Sequence, residues 1–325
     1  MPKDLIHFKV AMMTSKRLAK TRFGTCLDRE RPGLLLGAVF HDGLFYAVTG
    51  ASRPLAPLAH RLHGAHGEDT YDLIRLQAAH AARAERRDLA AALLAGMASH
   101  LFTDAVMHPL VWHLSGHYYS DSPDKKTLAR QQHRALEALM DMVACPEMLG
   151  RPLFSLRRLL RSVGPALFEA LPVDGLAKMT RIAPGRVQAG LRSALRVHAG
   201  FQAAYSVTPA ARLLFALMPV LPSRAREIAA LFYAPQLMTQ AAALEGVIDY
   251  RHPVTGEAAS ASLRDMMELA ADKAAELCRR LESGVFQGAM QPDLPENGPS
   301  LDAGLSGVRA GSMRHFADRP FPALP

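Results

Sequence analysis

Between Leu89 and Ser120 the chain carries a single charged residue, Asp104, set among four histidines. A stretch this apolar has to be surrounded, either by lipid or by other elements of the protein. Pro109 and Gly116 interrupt it and its polar groups are regularly spaced, so the expectation is a buried helix rather than a membrane span. Within SHLFTDAVMHP, His100, Asp104 and His108 stand four residues apart. Each four-residue step rotates a helical side chain by only about 40°, which keeps all three on one side. An ionised aspartate in such a place is costly unless it is paired or metal-bound. This helix offers no lysine or arginine, so a metal ion held by Asp104 and its flanking imidazoles is the preferred explanation.

Helical periodicity extends through most of the remaining chain. It predicts helices near 5–20, 69–86, 88–108, 125–144, 153–171, 184–204, 208–218, 223–246 and 260–284, with turns at Arg31-Pro32-Gly33, Gly64 with Gly67, Ser122-Pro123-Asp124 and His252-Pro253. No convincing alternating strand is visible. The predicted fold is therefore all-α, a multi-helix bundle with the buried metal site between helices. With 49% hydrophobic and 21% charged residues over 325 positions, the composition excludes wholesale disorder, collagen-like repeats and a disulfide miniprotein. Cys26, Cys145 and Cys278 lie far apart without a CxxC, which indicates neither a disulfide framework nor a thiolate zinc site. The first twenty residues alternate charge with apolar groups and do not read as a secretory signal, so a cytoplasmic protein is expected. Residues 1–290 are read as one helical domain with a basic insertion at about 151–245. Residues 291–325 are read as a Gly/Pro-rich tail running over the surface.

Eleven of the fourteen histidines precede residue 134, which places the candidate site in the first half. A second helix repeats the four-residue step: QQHRALEALMD sets His133, Glu137 and Asp141 at i, i+4 and i+8. Two antiparallel helices could face these two sets across one seam. Asp141 is the less secure member and could pair with Arg134 or support a histidine. His113 and His117, just past the first set, are candidates for supporting donors. Charge is uneven as well. The chain carries +8 overall, but between Arg151 and Arg226 there are twelve Lys and Arg against only Glu169 and Asp174. Such a region suits an anionic lipid surface or a phosphate backbone, unless it is simply a solvated face.

In order along the chain, HLFTD, HP and HRALE resemble the zinc-dependent phospholipase C family, which is related in fold to the single-strand-specific zinc nucleases. DLIHFKVAMM resembles that family's first-helix histidine, His7. LGAVFHDGLFY resembles its glycine-led loop with an acid, Asp42, although His41 stands where the family more often has proline. LHGAHGEDTYDLIR resembles its loop histidine, giving His66 with His63 as the rival, and YRHPVTGEAASASLRDMMELA loosely resembles a later segment. The resemblance implies a di- or tri-metal site between helices, with one Zn2+ on Asp42, His66, His100 and Asp104, and a second on His108, His133 and Glu137. It implies a third on His7 and Asp104, whose other ligands in secreted relatives come from an N-terminal tryptophan. Here the sole tryptophan is Trp112, so two ions are the expectation.

Mixed imidazole and carboxylate ligands without thiolate suit catalytic zinc, with manganese or iron as alternatives. The expected reaction is phosphoester hydrolysis by a metal-activated water, with Asp42 as both ligand and proton acceptor. By resemblance the substrate is a phospholipid head group, approached through the basic region 151–226 on an anionic membrane. The alternatives are a nuclease or phosphomonoesterase on the same site, or a non-catalytic, metal-stabilised helical interaction protein. Nucleic acid is the less favoured partner because aromatic residues are sparse in the basic region.

Overall fold

A computed structural model describes residues 3–118, 120–288 and 294–325. Among these the chain is helical almost throughout. Its α-helices are α1 (Asp4–Arg17), α2 (Arg22–Arg29), α3 (Arg31–Gly37), α4 (Phe40–Gly43), α5 (Ala56–Leu62), α6 (Tyr71–Ala81), α7 (Arg87–Ser115) and α8 (Pro123–Ala144). There follow α9 (Leu156–Val163), α10 (Ala166–Ala170), α11 (Val173–Thr180), α12 (Pro184–Tyr205), α13 (Thr208–Leu217), α14 (Ser223–Ala229) and α15 (Leu263–Gln287). One antiparallel hairpin, β1 (Ile248–Arg251) with β2 (Ala258–Ala261), closes with Ile248 opposite Ala261 and Arg251 opposite Ala258. This corrects the expectation of no strands. The four-residue segments are too short to show an alternating pattern, and the His252-Pro253 turn is what joins them.

Helix α7 is the axis of the bundle. It is apolar nearly all round, so it is stable only where other elements cover every face. α15, α3, α6, α1, α2 and α8 all pack on it. By length and composition it could cross a membrane, yet 94% of its most apolar window is buried inside the protein. Small residues set the close crossing with α3. A Cβ on Gly96 would fall 2.2 Å from the Leu34 carbonyl oxygen, and one on Gly37 would fall 2.3 Å from that of Leu93. The two backbones therefore touch, and this delivers the end of α3 to the middle of α7.

Pro109 does not end α7, contrary to the sequence reading. Proline has no N–H, so the carbonyl of Ala105 lacks its usual helical donor. The C-terminal segment packs there: Gly304, at φ +68°, sits so close that a Cβ would lie 2.4 Å from the Ala105 oxygen. Covered on that side, the helix runs on to Ser115.

The expectation of a surface-bound tail is also corrected. Ser300, Leu301, Ala303, Ala310 and Met313 are buried, and the Leu301 N–H donates to the His63 carbonyl while Ala310 N–H donates to that of Ala65. Glycine and proline here serve close packing rather than solvation. The proposed boundary at 290/291 lies outside the described residues. Elsewhere, 153–171 divides into α9 and α10 at Gly164, and 223–246 is α14 followed by 3-10 turns over Pro235–Leu244. The Arg31-Pro32-Gly33 turn is instead the start of α3, where Pro32 occupies the first helical turn.

Candidate metal centre

Two groups of buried ligand-type side chains lie along α7. The first is Asp42, His63, His100 and Asp104; the second is His108, His133 and Glu137. In each group one possible ligand atom per residue lies within 4.8 Å of all the others. Asp104 lies between them. Its Oδ2 is 3.1 Å from His100 Nε2 and 3.8 Å from His63 Nε2, while its Oδ1 is 3.9 Å from His108 Nε2.

The second group needs only two helices. The four-residue step sets His133 Nε2 3.1 Å from Glu137 Oε1 on α8, and the facing α7 brings His108 Nε2 to 3.8 Å from the same oxygen. The first group draws on three elements. His100 and Asp104 come from α7, Asp42 from α4, and His63 from the residue closing α5. Asp42 thus stands on a short helical turn, not on the expected loop. Its Oδ1 is 3.4 Å from His63 Nε2 and 3.5 Å from His100 Nε2.

His66, the expected ligand, is not part of either group. It is exposed, in a one-residue bridge to Arg309 with its N–H donating to Glu68. His63 is brought to Asp42 instead, because α5 carries the chain inward only as far as residue 63 and Gly64 then turns it away at φ +67°. His7 does reach the site. Its Nε2 is 3.4 Å from Asp104 Oδ1 and 3.8 Å from Asp42 Oδ2.

The residues around the groups fix which nitrogen faces inward. Nδ1 of His63 is 2.6 Å from the Ala59 carbonyl, and Nδ1 of His100 is 2.8 Å from that of Ala38. Nδ1 of His108 faces the Leu301 carbonyl. Each contact requires an Nδ1 proton, which leaves the Nε2 lone pair turned toward the carboxylates. Among the described residues those inward atoms are buried without an aligned hydrogen-bond partner: Nε2 of His7, His63, His100 and His108, Asp42 Oδ1 and both oxygens of Asp104. So many orphaned acceptors in one dry volume are unfavourable unless a cation sits among them. The residues therefore fit divalent ions, and the imidazole–carboxylate donor set is one that zinc accepts.

The protonation states agree for three of the imidazoles and for both carboxylates, whereas His100 must lose a proton before it can ligate. Burial, with His100 nearby, holds His7 well below its ordinary value; burial does the same for His108 and His133. Burial would raise Asp104, but His108 and His100 overcome it and bring it down to about 2. Asp42 is likewise lowered against its burial by His100 and His63. His100 goes the other way: burial alone would lower it, yet Asp104 and Asp42 raise it to about 9.

Asp141 is in neither ligand group and does not pair with Arg134. It accepts hydrogen bonds from the N–H groups of Leu5 and Ile6 and from the Tyr233 hydroxyl, while Arg134 pairs with Glu227 at 3.1 Å. The first N–H groups of a helix have no internal acceptor, so Asp141 caps α1 from α8 and holds His7 in place. His113 and His117 also turn away: His113 Nδ1 meets the His315 carbonyl, and His117 stacks on Phe316.

A cleft of about 430 Å³ reaches one edge of each group, touching Asp42 and His63 on one side and His133 and Glu137 on the other. Trp112, Lys3, Tyr46 and Asp302 also line it, and none had been singled out for the site. Trp112 could have been found, since it continues the step 100, 104, 108 by one more turn. Asp302 could not, because it comes from the C-terminal segment. Burial raises its carboxyl to about 6, opposed by His63. His41, also missed as a structural partner, stacks on His100 at 4.4 Å.

Residues 6–167 match the family model described as zinc dependent phospholipase C, and that span includes all eight residues His7, Asp42, His63, His100, Asp104, His108, His133 and Glu137. No curated protein and no solved structure matches the chain.

Proposed function

The chain belongs, through residues 6–167, to the zinc-dependent phospholipase C family, and from that premise we propose that it hydrolyses a phosphodiester carrying a phospholipid head group. Membership supports a metal-dependent phosphodiester hydrolase; the head group is the finer step. The observation that carries the reading is that two ligand groups meet at Asp104 and open on a single cleft. Bound divalent ions supply Lewis acidity toward a phosphoryl oxygen and acidify water. Two ions are proposed, one per group, with His7 and Asp104 as the place for a third.

The chain's own residues then do three things. Asp42, ionised and facing the cleft, accepts a proton from the attacking water. The Ala59, Ala38 and Leu301 carbonyls keep three imidazoles in the ligating tautomer. Aromatic walls exclude water from the scissile group. For the partner, an anionic membrane is proposed. Phe45, Val48 and Ile228 are exposed apolar residues of the cleft wall. Helix α13 exposes Leu213 and Leu217 with Arg212, and the turn to α14 exposes Val220 ahead of Arg224. A cytoplasmic location belongs to the same proposal.

The aromatic lining (Phe45, Tyr46, Trp112, Tyr118, Phe201 and Tyr205) is the one observation favouring a nuclease, since bases stack on such faces. Elemental analysis followed by assays with and without chelator separates the readings. Preferential cleavage of a head-group diester, whether p-nitrophenylphosphorylcholine or a counterpart with an anionic head group, over the two simpler nitrophenyl phosphates is the expected result. Preference for bis-p-nitrophenyl phosphate favours the nuclease, and preference for p-nitrophenyl phosphate a phosphatase. Bound metal with all substrates inert would overturn catalysis in favour of a metal-stabilised interaction protein.

A further inference from the structure

Lys3 turns its side chain inward. The residue is 8% exposed, and its ammonium nitrogen has no hydrogen-bond partner among the described residues. That nitrogen lies 3.7 Å from the Tyr205 ring centroid and 4.5 Å from that of Tyr233. A lysine near a surface ordinarily carries its charge out to water, and a buried ammonium with open donors is unfavourable. The two aromatic faces offset part of this through the ring quadrupole. The three N–H donors remain unused, and the side chain lines the cleft shared by the two ligand groups.

Neighbouring charges are already committed. Asp4 Oδ1 is 3.1 Å from His198 Nε2, Arg134 pairs with Glu227, and Asp141 is held by two amides and Tyr233. Asp42 and Glu137 belong to the ligand groups. Lys3 is thus a cation with open donors beside the aromatic rings of the cleft, whose other cation, Arg134, is already paired with Glu227. A bare aromatic wall is receptive to quaternary ammonium groups; here the Tyr205 face is already occupied by the Lys3 amine, so a second cation finds that face filled and meets like charge whenever the amine is protonated.

We propose that Lys3 forms an anionic subsite of the cleft, which takes a negatively charged head group and disfavours head groups bearing a quaternary ammonium. This rests on the phosphodiesterase reading for its biological meaning but not for its test. Burial lowers Lys3 to about 7, against the pull of Asp4 and Asp141, and an anion seated beside it draws the proton back.

The experiment compares two ligands that share a phosphate and differ in the charge of the attached group: phosphoglycolate and phosphorylcholine. Calorimetric affinities are measured on the zinc-loaded full chain, for wild type, Lys3→Met, Lys3→Gln and Lys3→Arg. Wild type is expected to favour phosphoglycolate by about tenfold or more, the scale of one charge-assisted hydrogen bond. Lys3→Met and Lys3→Gln should each remove that preference, and Lys3→Arg should restore it. Met relieves a buried charge at similar volume, and thermal unfolding checks that each variant is folded. A wild type that prefers phosphorylcholine, or a ratio unchanged in the folded Met or Gln variant, overturns the proposal. Because the readout is binding, inert diester assays would sink the hydrolase reading while this measurement still decides the subsite.

Discussion

The two ligand groups are built differently. His108, His133 and Glu137 sit on two long facing helices, and their positions follow from helical period and a single packing contact. Asp42 and His63 reach His100 and Asp104 from short segments, α4 and the end of α5, whose placement depends on tertiary contacts. The α3–α7 backbone contact at Gly37 and Gly96 presents the Ala38 carbonyl to His100 and sets α4 immediately beyond. Regular helices thus carry ligand geometry in local sequence, whereas turns acquire it only from what they pack against.

Asp104 is where this division should fail most severely. Its two oxygens face both groups, so Asp104→Ala is expected to strip metal from both and lower activity by more than about 100-fold, beyond the range for residues that merely support a ligand. Glu137→Ala should empty the second group alone. Metal content by elemental analysis makes the distinction; an Asp104→Ala protein that keeps one full site would mean the groups are independent.

A smaller effect separates His63 from His66. Removing His63 is expected to weaken zinc binding at the first group by more than the roughly 10-fold that loss of a supporting residue costs, seen by competition with a chromogenic chelator. His66→Ala should bind as wild type does. If His66→Ala weakens binding comparably, the short segments of the first group are arranged otherwise in solution.

Gly304→Ala should come next, destabilising the fold by about 1–3 kcal/mol in urea unfolding. It combines a left-handed backbone with a contact to the Ala105 carbonyl. Its metal loss should fall on the His108 group, because Leu301 orients that imidazole. An unchanged unfolding midpoint would contradict this packing.

The mildest contrast is in protons. His108 and His133 have pKa values held down by burial, whereas His100 is raised to about 9 because Asp104 and Asp42 outweigh its burial. At pH 7.5, zinc binding to the first group should release about one proton and binding to the second almost none, measurable by calorimetry in buffers of different ionisation heat. Stability of the chelated protein follows the same signs. The histidines with lowered values contribute above pH 6.5 and their contribution is lost as pH falls below it; His100 contributes below 6.5 and its contribution fades as pH rises through about 9. Equal proton release from wild type and Glu137→Ala is expected; a release that halves in Glu137→Ala would place the titrating imidazole in the second group.

Much of the helical site was legible. The step from His100 through His108 and from His133 to Glu137 follows from period alone, and the lack of any basic partner on α7 pointed to a cation. Choosing His63 over His66 was beyond that logic, since both lie in one glycine-rich segment and only the turn at Gly64 decides which faces inward. The hairpin was hidden because four-residue strands leave no pattern. The buried tail was misread because glycine and proline serve tight packing as readily as solvent exposure. Asp141 shared the spacing of the ligands yet caps α1, showing that a shared helix face does not imply a shared task.

Leu301 donates its amide hydrogen to His63 and accepts from His108, so a residue near the end of the chain clasps one member of each ligand group. A nascent polypeptide has therefore produced every metal-binding side chain well before it can hold them in register. During synthesis the bundle should pass through a stage in which its imidazoles are present but unaligned, and the two groups come into register only once Leu301 has been made and docked.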